Sequence, residues 1–238
     1  MATGLASPWW LAFFLAQAGN QAVSAEAFIG QELVKVRAAP ETPARLGAES
    51  RLLFFAAEVA VDGQRKAALH QEGLTLAELA LQLDPGEPSA MLWWAAHRGS
   101  QATPLDPFAA IRIAREVEHK LLGLKATHPD YDHSAADRAL GRLYQVAPRG
   151  ISVGSLQKAG EHLRAAVGRD PGFPGNALFY AQYLAAAKDC TGARDWALRV
   201  LQSPALAAHP LERTGWIAEA RKLLAGLPGR CPREESWP

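Results

Sequence analysis

The chain has 238 residues, which is enough for one extended domain or two small ones around a substantial buried core. Hydrophobic residues make up 49% and charged residues 21% of it, which excludes disorder of the whole chain, and the abundance of alanine and leucine over isoleucine, threonine and tyrosine predicts an all-α fold. A net charge of +1 without any run of lysine and arginine excludes nucleic acid as a leading partner, because such a surface offers no basic strip to follow phosphates.

The N-terminal residues have the pattern of an export signal. A short apolar run, Trp9 to Ala16, precedes a polar stretch and small residues at Val23 and Ala25, a signal-peptidase site that would leave Glu26 as the mature start. The run is too short to span a bilayer, and no other segment of the sequence is a membrane candidate. Because the first ten residues contain no lysine or arginine, an amphipathic first helix of a cytosolic protein is the alternative. We expect a periplasmic or secreted protein, or a cytoplasmic one if the segment is not cleaved.

Helix-start signals recur along the rest of the chain. Thr42-Pro43 and Asp106-Pro107 each place a capping side chain before a proline at the first helical position. Ser134, with Asp137 three residues on, is typical of a capping box. Between these signals the apolar residues fall at spacings of three and four, which indicates one buried stripe per helix, and no sustained period-two alternation predicts a strand.

The ends of four predicted helices resemble one another. Each end carries a proline, and these prolines, at positions 85, 129, 171 and 204, follow one another at 44, 42 and 33 residues. The shortest spacing is close to a bare pair of antiparallel helices with tight turns, and the longer ones leave room for extended helices or loops. The sequence therefore predicts residues 1–25 as a signal peptide, 26–41 as an N-terminal segment, 42–227 as a helical repeat domain and 228–238 as a tail.

The best-formed units resemble the tetratricopeptide repeats. In the unit from Ala177 to Pro204, Ala181 takes the small position of the first helix, and Ala193, Ala197 and Val200 form the inner face of the second. The preceding unit matches at the leucine-glycine, aromatic and second-helix positions, which are Leu140, Gly141, Tyr144, Ala159, Leu163, Ala166 and Pro171. The resemblance implies a right-handed array of antiparallel helix pairs whose concave face binds a partner.

A narrower resemblance covers roughly Leu74 to Leu201. The order "AELALQLDP", "LWWAAHRG", "YDHSAADRALGRLYQVAP" and "NALFYAQYL" is similar to the T component of tripartite ATP-independent periplasmic (TRAP) transporters. This resemblance implies a helical accessory that works beside a periplasmic substrate-binding protein. The sequence departs from that family in having no cysteine after the apolar segment to accept lipid, and Ala135-Ala136-Asp137 in place of a Gly-Pro step.

The only two cysteines are Cys190 and Cys231. They are compatible with two idle thiols or with one disulfide in an oxidising compartment. If Cys190 lies in a turn, the last predicted helix, Leu211 to Leu227, runs back and brings Cys231 to the same end. A bridge would stabilise the fold by about 4 kcal/mol on the chain-entropy estimate. A zinc site is excluded because neither cysteine has a partner at ligand spacing.

Several motifs suggest chemistry, and each has a plainer explanation. Residues 150–154, GISVG, match the nucleophile elbow of hydrolases, but no strand precedes them, so a turn between helices is favoured. The stretch HPDYDHS, residues 128–134, could bind a divalent metal, yet carboxylates beside a helix start serve as caps. Glu116 and His119 share a helical face without the second pair that a di-iron site needs. The other histidines, His70, His97, His162 and His209, are isolated in the sequence, and no metal or cofactor is predicted.

The strongest candidates for binding are aromatic. Trp93 and Trp94 lie about 100° apart around a helix, so one can enter the core while the other lines a cleft, although both could simply fill space between repeats. Arginines such as Arg98, Arg138 and Arg142 could anchor a peptide or a small anion near such rings. The candidate binding residues are Trp93, Trp94, Arg98, Arg138, Tyr144, Tyr180 and Tyr183.

These observations favour a non-enzymatic scaffold or adaptor in the periplasm or cell envelope that binds a protein or peptide, with a transporter accessory as one form of it. The first alternative is a carrier of a small hydrophobic or anionic ligand, with a tunnel lined by Trp93, Trp94, Tyr144 and Tyr183. The second is an enzyme, which would require polar groups that converge in one pocket.

Overall fold

The structure is a computed structural model that describes residues 19–102 and 106–229, with side chains from residue 25 onward. Over these residues the chain forms ten α-helices and no β-strand. The helices are α1 (Gly19–Arg37), α2 (Pro43–Val59), α3 (Gly63–Leu83), α4 (Pro88–Ser100), α5 (Pro107–Thr127), α6 (Tyr131–Val146), α7 (Leu156–Arg169), α8 (Pro174–Ala186), α9 (Cys190–Gln202) and α10 (Pro210–Gly226), with a 3₁₀ helix (Pro204–Ala208) before the last. The predicted all-α fold is confirmed.

Two predicted helix starts are present with the expected capping bonds. Thr42 precedes α2, and its hydroxyl accepts a hydrogen bond from the Arg45 amide at 3.2 Å. Asp106 precedes α5, and its carboxylate accepts from the Ala109 amide at 2.9 Å. Each cap satisfies an amide that has no partner inside the helix, so residues local in sequence determine where these helices begin.

The chain divides into two compact units. Unit 1 contains α1 to α5, in which α2 packs against α3 and α4, α4 also packs against α5, and α1 packs against α2. Its most deeply buried aliphatic side chains include Leu46, Leu53, Leu121 and Leu124. Unit 1 is therefore a set of neighbouring helices that cover one another's apolar stripes.

Unit 2 contains α6 to α10 and shows the predicted helix pairs most clearly. α6 packs against α7 and α8 against α9, and α10 covers α8 and α9. Ala181 of α8 and Ala193, Ala197 and Val200 of α9 are fully buried, as the repeat pattern predicts. Small residues at these positions let the two helices approach closely. The fold of this unit is a helical repeat.

A glycine sets the approach of α6 and α7. A Cβ added to Gly141 would lie 2.4 Å from Leu163 Cγ and 3.2 Å from the Ala159 carbonyl oxygen. The leucine-glycine step of the sequence therefore has a packing reason, because only a residue without a side chain admits Leu163 at this distance.

The predicted cleavage position after Ala25 falls within α1. The predicted signal's apolar run lies outside the described residues, so the export signal and the four-part division of the chain stay predictions. None of the helices described is both long and apolar enough to cross a membrane.

Candidate ligand-binding groove

A cavity of about 510 Å³ opens on unit 2 where several helix ends meet. We call it the unit 2 groove. Its apolar lining comes from Pro171, Gly172, Phe173, Pro174, Ala177, Pro204 and Ala205, and its polar lining from His133, Asp170, Arg199, Gln202, Ser203 and His209. The starts of α8, the 3₁₀ helix and α10 all supply residues to this wall. The size is in the range of sites that bind small molecules or a few side chains of a peptide.

Phe173 lines the unit 2 groove and is 3% exposed, so its ring forms part of a buried floor. His133 stacks on its ring at 4.1 Å between centroids and an interplanar angle of 7°, and the Arg138 guanidinium lies 4.8 Å from the ring centroid. His209 and Trp216 meet the ring edge-on at 5.1 and 5.2 Å. Aromatic and cation–π contacts on this scale hold the ring in one orientation, so the floor is rigid.

The segment that carries His133 has a left-handed backbone. Asp132, His133 and Ser134 have φ angles of 44°, 57° and 62°. Residues other than glycine rarely adopt this conformation, and each costs on the order of 1 kcal/mol or more, so the surroundings must hold it. Arg138 does so in part, donating hydrogen bonds to the Asp132 and His133 carbonyl oxygens at 3.1 and 3.2 Å.

Asn176 is a buried polar residue that connects three helix ends beside the groove. Its side-chain nitrogen donates to the carbonyl oxygens of His133 at 3.0 Å and Ala166 at 3.1 Å, and its oxygen accepts from Arg138 at 3.1 Å. Because both ends of the amide are satisfied, burial of this residue is stabilising rather than costly. Asn176 therefore positions the His133 segment relative to α7 and α8.

The charged side chains of the groove differ in whether they have a polar partner within the protein. The His133 Nδ1 lies 2.6 Å from one Asp170 carboxylate oxygen, and the Gly172 amide donates to the other at 3.1 Å, so both oxygens are occupied. Arg199 packs over the Trp196 ring, 4.4 Å from its centroid, and pairs with no carboxylate in the part of the chain that the structure describes. Arg199 is thus a cation at the groove that an anionic ligand could neutralise.

The predicted binding residues of unit 1 are engaged in internal contacts. Trp93 packs against Phe54 and Phe55 at centroid distances of 5.4 and 5.7 Å. The Trp94 indole nitrogen lies 3.4 Å from a Glu78 carboxylate oxygen, and the Lys120 ammonium lies 5.1 Å from the Trp94 ring centroid.

Arg98, the third predicted residue of this unit, donates a 2.7 Å hydrogen bond to Glu116, which also accepts from Arg112. Glu116 thus belongs to an ion-pair cluster. The Arg98 hydrogen bond, with the Arg112 bond and both arginine charges, lowers the pKa of this carboxyl against the raising effect of burial.

In unit 2 the predicted tyrosines lie in the helix packing. Tyr144 is 2% exposed and contacts the His162 ring at 5.4 Å. Tyr183 is nearly buried, and its hydroxyl accepts a hydrogen bond from Arg164 at 3.2 Å. Tyr180 is half-buried and stacks on Tyr183 at 5.9 Å. Among the predicted residues, Arg138 contacts two groove residues, Phe173 and His133, and the binding roles of all seven stay predictions.

Phe173, Arg199 and His209 line the groove but are not among the residues predicted to bind. A local signal was present, since a proline begins α8, the 3₁₀ helix and α10 in turn. Successive helix starts that each carry a proline indicate the side of a helical array on which its turns lie. What the sequence does not give is which turn side chains meet.

The motifs weighed for chemistry have structural partners instead. In the HPDYDHS stretch, Asp130 lies 3.6 Å from Arg169, Asp132 pairs with Arg138 at 2.9 Å, and His133 pairs with Asp170. Among the residues that can be described, no three histidine, cysteine or acidic side chains are grouped so as to hold a metal. The GISVG stretch follows helix α6 rather than a strand, and Gly150 has a φ of 80°, which confirms a glycine turn.

Three histidines that are isolated in the sequence meet polar partners in the structure. His70 and His97 face each other in unit 1, with their Nδ1 atoms 3.1 Å apart. His162 lies 2.6 Å from a carboxylate oxygen of Asp137, which is itself fully buried. The partners lie 27 and 25 residues apart on consecutive helices, so they meet only when these helices pack.

Cys190 is the first residue of α9 and is disulfide-bonded. Its predicted partner, Cys231, lies outside the described residues. The pairing of these two cysteines therefore stays a prediction.

No protein-family model matches the chain, and no curated protein matches it. A crystal structure of a thermophilic TPR protein in Thermus thermophilus is similar, with 21% sequence identity over 81% of this chain and 91% of that chain and a TM-score of 0.47. An identity and a TM-score at this level carry no conclusion about partner or site.

Proposed function

We propose that this protein is a non-enzymatic scaffold or adaptor that binds an extended segment of a partner protein in the unit 2 groove. The observation that carries the proposal is the combination of a rigid apolar floor with an arginine that has no carboxylate partner among the described residues. The polar groups beside it are already engaged: Asp170 accepts from His133 and Gly172, and Ser203 donates to the Gly172 carbonyl oxygen at 3.2 Å. Occupied side chains of this kind support binding rather than catalysis.

The lining also indicates the chemistry of the segment. Pro171, Pro204 and Ala205 offer an apolar surface to one apolar side chain of the ligand, beside the buried Phe173 ring. Arg199 offers a charge-assisted hydrogen bond to a carboxylate next to that side chain. The expected ligand is therefore a short extended peptide in which an apolar residue adjoins an acidic one.

A peptide-binding measurement tests this proposal. The probes are ten-residue fluorescent peptides with a central Phe-Glu or Leu-Asp pair, and the matched controls carry Phe-Gln or Leu-Asn. We expect the acidic peptides to bind, and Arg199→Gln to weaken binding by about 10- to 100-fold, because loss of one charge-assisted hydrogen bond costs about 1.5–3 kcal/mol. Arg221→Gln removes an exposed arginine of α10 outside the groove and should leave the dissociation constant unchanged.

A second pair of variants tests the location of the site. Ala205→Trp fills the groove from the 3₁₀ helix and should abolish binding, whereas Ala207→Trp places the same side chain on an exposed position of that helix and should not. Equal binding by the Arg199→Gln protein, or equal loss with both tryptophans, would show that the groove is not the binding site. Binding of free carboxylates but of no peptide would support the carrier alternative instead.

We also propose that the protein works in the periplasm or cell envelope, as an accessory beside a substrate-binding protein. The support is the signal-like pattern of residues 1–25, the single pair of cysteines and the resemblance to TRAP T components. We expect the complete chain, expressed in a Gram-negative host, to be recovered from the periplasm starting at Glu26, with thiols that are alkylated only after reduction. Mass spectrometry of the intact protein reads both results. A chain that begins at Met1 with two free thiols would contradict this proposal without affecting the groove.

A further inference from the structure

The core of unit 1 contains a chain of hydrogen-bonding groups that no sequence motif predicts. His97 is 0% exposed, and Glu58 and His70 are nearly as buried. The His97 Nε2 lies 2.9 Å from the Ser50 carbonyl oxygen, the two Nδ1 atoms of His97 and His70 are 3.1 Å apart, and the His70 Nε2 lies 3.5 Å from a Glu58 carboxylate oxygen. These four groups, contributed by α2, α3 and α4, form what we call the histidine chain.

The partners fix where the protons lie. A carbonyl oxygen only accepts, so the His97 Nε2 carries a hydrogen and donates to Ser50. A neutral imidazole has one N–H, so the His97 Nδ1 accepts, and the His70 Nδ1 must donate to it. The neutral His70 is then left with a bare Nε2, which makes no hydrogen bond at its 3.5 Å distance from Glu58.

The histidine chain has a place for one additional proton. A hydrogen on the His70 Nε2 would point toward Glu58, whose second carboxylate oxygen is buried and has no hydrogen-bond partner. Lys66 already lies 2.9 Å from the first oxygen. The charged groups that face the chain are thus Glu58 from α2 and Lys66 from α3, while α4 contributes the uncharged Trp93 against Phe54.

The histidine chain has no position that could hold a second additional proton. On His97 it would have to sit on Nδ1, where it would face the N–H of His70 across 3.1 Å. Two donors that face each other lose their hydrogen bond and leave like charges in a buried site. In agreement, the pKa of His97 is lowered to about 3, mainly by desolvation and also by the His70 charge, against the raising effect of the Ser50 hydrogen bond.

The His97 ring also has no room to move aside. A Cβ added to Gly73 would lie 2.1 Å from its Nε2, so the ring rests directly on the backbone of α3. Phe54 of α2 covers it at a centroid distance of 5.6 Å. Ser50 joins the same contact by donating from its hydroxyl to the Gly73 carbonyl oxygen at 2.8 Å. His97 can therefore become charged only if α4 separates from α2 and α3.

We propose that the histidine chain makes unit 1 acid-sensitive, so that α4 separates from α2 and α3 when a second proton enters the chain. This device does not depend on the proposed peptide binding, which concerns unit 2. The folded pKa of His97 lies below the value of about 6.5 expected of an exposed histidine, so the opened state binds more protons. The stability that this histidine provides is complete above about pH 6.5 and is lost as the pH falls toward 3. The opening constant should rise about tenfold for each pH unit in that window.

Hydrogen exchange of the complete protein between pH 7 and pH 4, corrected for the intrinsic exchange rate, tests the proposal. We expect the opening of peptides from α2, α3 and α4 to increase about tenfold per pH unit below 6.5 in the native sequence. His97→Gln keeps a donor for the Ser50 carbonyl oxygen but cannot be charged. The variant should therefore lack the tenfold increase in opening per pH unit that this histidine causes in the native protein. His119→Gln, at an exposed histidine of α5 in the same unit, should behave as the native protein does.

A second measurement decides the question even if His97→Gln does not fold. In the native protein, ¹⁵N NMR of the imidazoles should show His97 as the neutral Nε2–H form for as long as the α4 amides stay protected. A His97 that becomes charged near pH 6.5 in a protein with protected α4 amides would overturn the proposal. Equal slopes for the native protein and a folded His97→Gln variant would overturn it as well.

Discussion

Gly73→Ala should lower the free energy of unfolding of unit 1 by about 1–5 kcal/mol. The new Cβ would lie 2.1 Å from the His97 Nε2 and 2.3 Å from its Cε1, far inside van der Waals contact. Overpacking of a core costs about 1–3 kcal/mol, and displacement of the ring also breaks its buried hydrogen bond to Ser50, at about 1–3 kcal/mol more. The loss exceeds the gain of about 0.5–1 kcal/mol that alanine usually brings to a helix interior.

Urea unfolding followed by tryptophan fluorescence and circular dichroism measures this change. Gly30→Ala is the matched control, because Gly30 is exposed in α1 and an added Cβ meets nothing within 4 Å. The control should be neutral or slightly stabilising. A Gly73→Ala protein as stable as the control would show that His97 is not packed against α3 as described.

Asp137→Asn should lower the free energy of unfolding of unit 2 by about 3 kcal/mol. The Asp137 carboxylate is fully buried, lies 2.6 Å from the His162 Nδ1 and accepts from Arg169 at 2.9 Å. Asparagine keeps the shape but removes the charge, and it places a second donor group opposite the existing ones. Removal of one partner from a buried ion pair costs about 3–5 kcal/mol, and the partial exposure of Arg169 places this case at the lower end.

The expected signal is an earlier loss of the fluorescence of Trp216, a buried tryptophan of unit 2. Asp195→Asn is the control, since Asp195 lies on an exposed position of α9 and should change stability by less than about 0.5 kcal/mol. If both variants unfold at the same urea concentration, the buried carboxylate does not stabilise unit 2 through its charge.

The helices and their pairing could be predicted because their signals are local. The caps Thr42 and Asp106 each act on an amide three residues away, and the small residues Ala181 and Ala193 recur at helical spacing on their own helices. Helix periodicity converts such spacing directly into a buried face. No knowledge of distant residues is needed for this step.

Large aromatic side chains serve packing as readily as binding, and the binding roles of the predicted residues stay predictions. Tyr144 and Tyr183 have the size and apolar surface that close helix packing requires, and the structure buries both. Arg98 has a carboxylate partner, whereas Arg199, which the sequence analysis did not select, has none in the described chain. The amino-acid type alone does not distinguish these cases.

The sequence by itself determined the all-α architecture, the helix starts at Pro43 and Pro107, and the small residues between α8 and α9, since each of these follows from contacts within a turn or two of helix. Only the tertiary structure decided that His70 meets His97 and that Phe173, Arg199 and His209 line one groove. Those residues are separated by tens of positions, and their distances depend on how whole helices pack. Helix packing depends on many weak contacts that are spread over a surface, so it cannot be predicted from any short stretch of sequence.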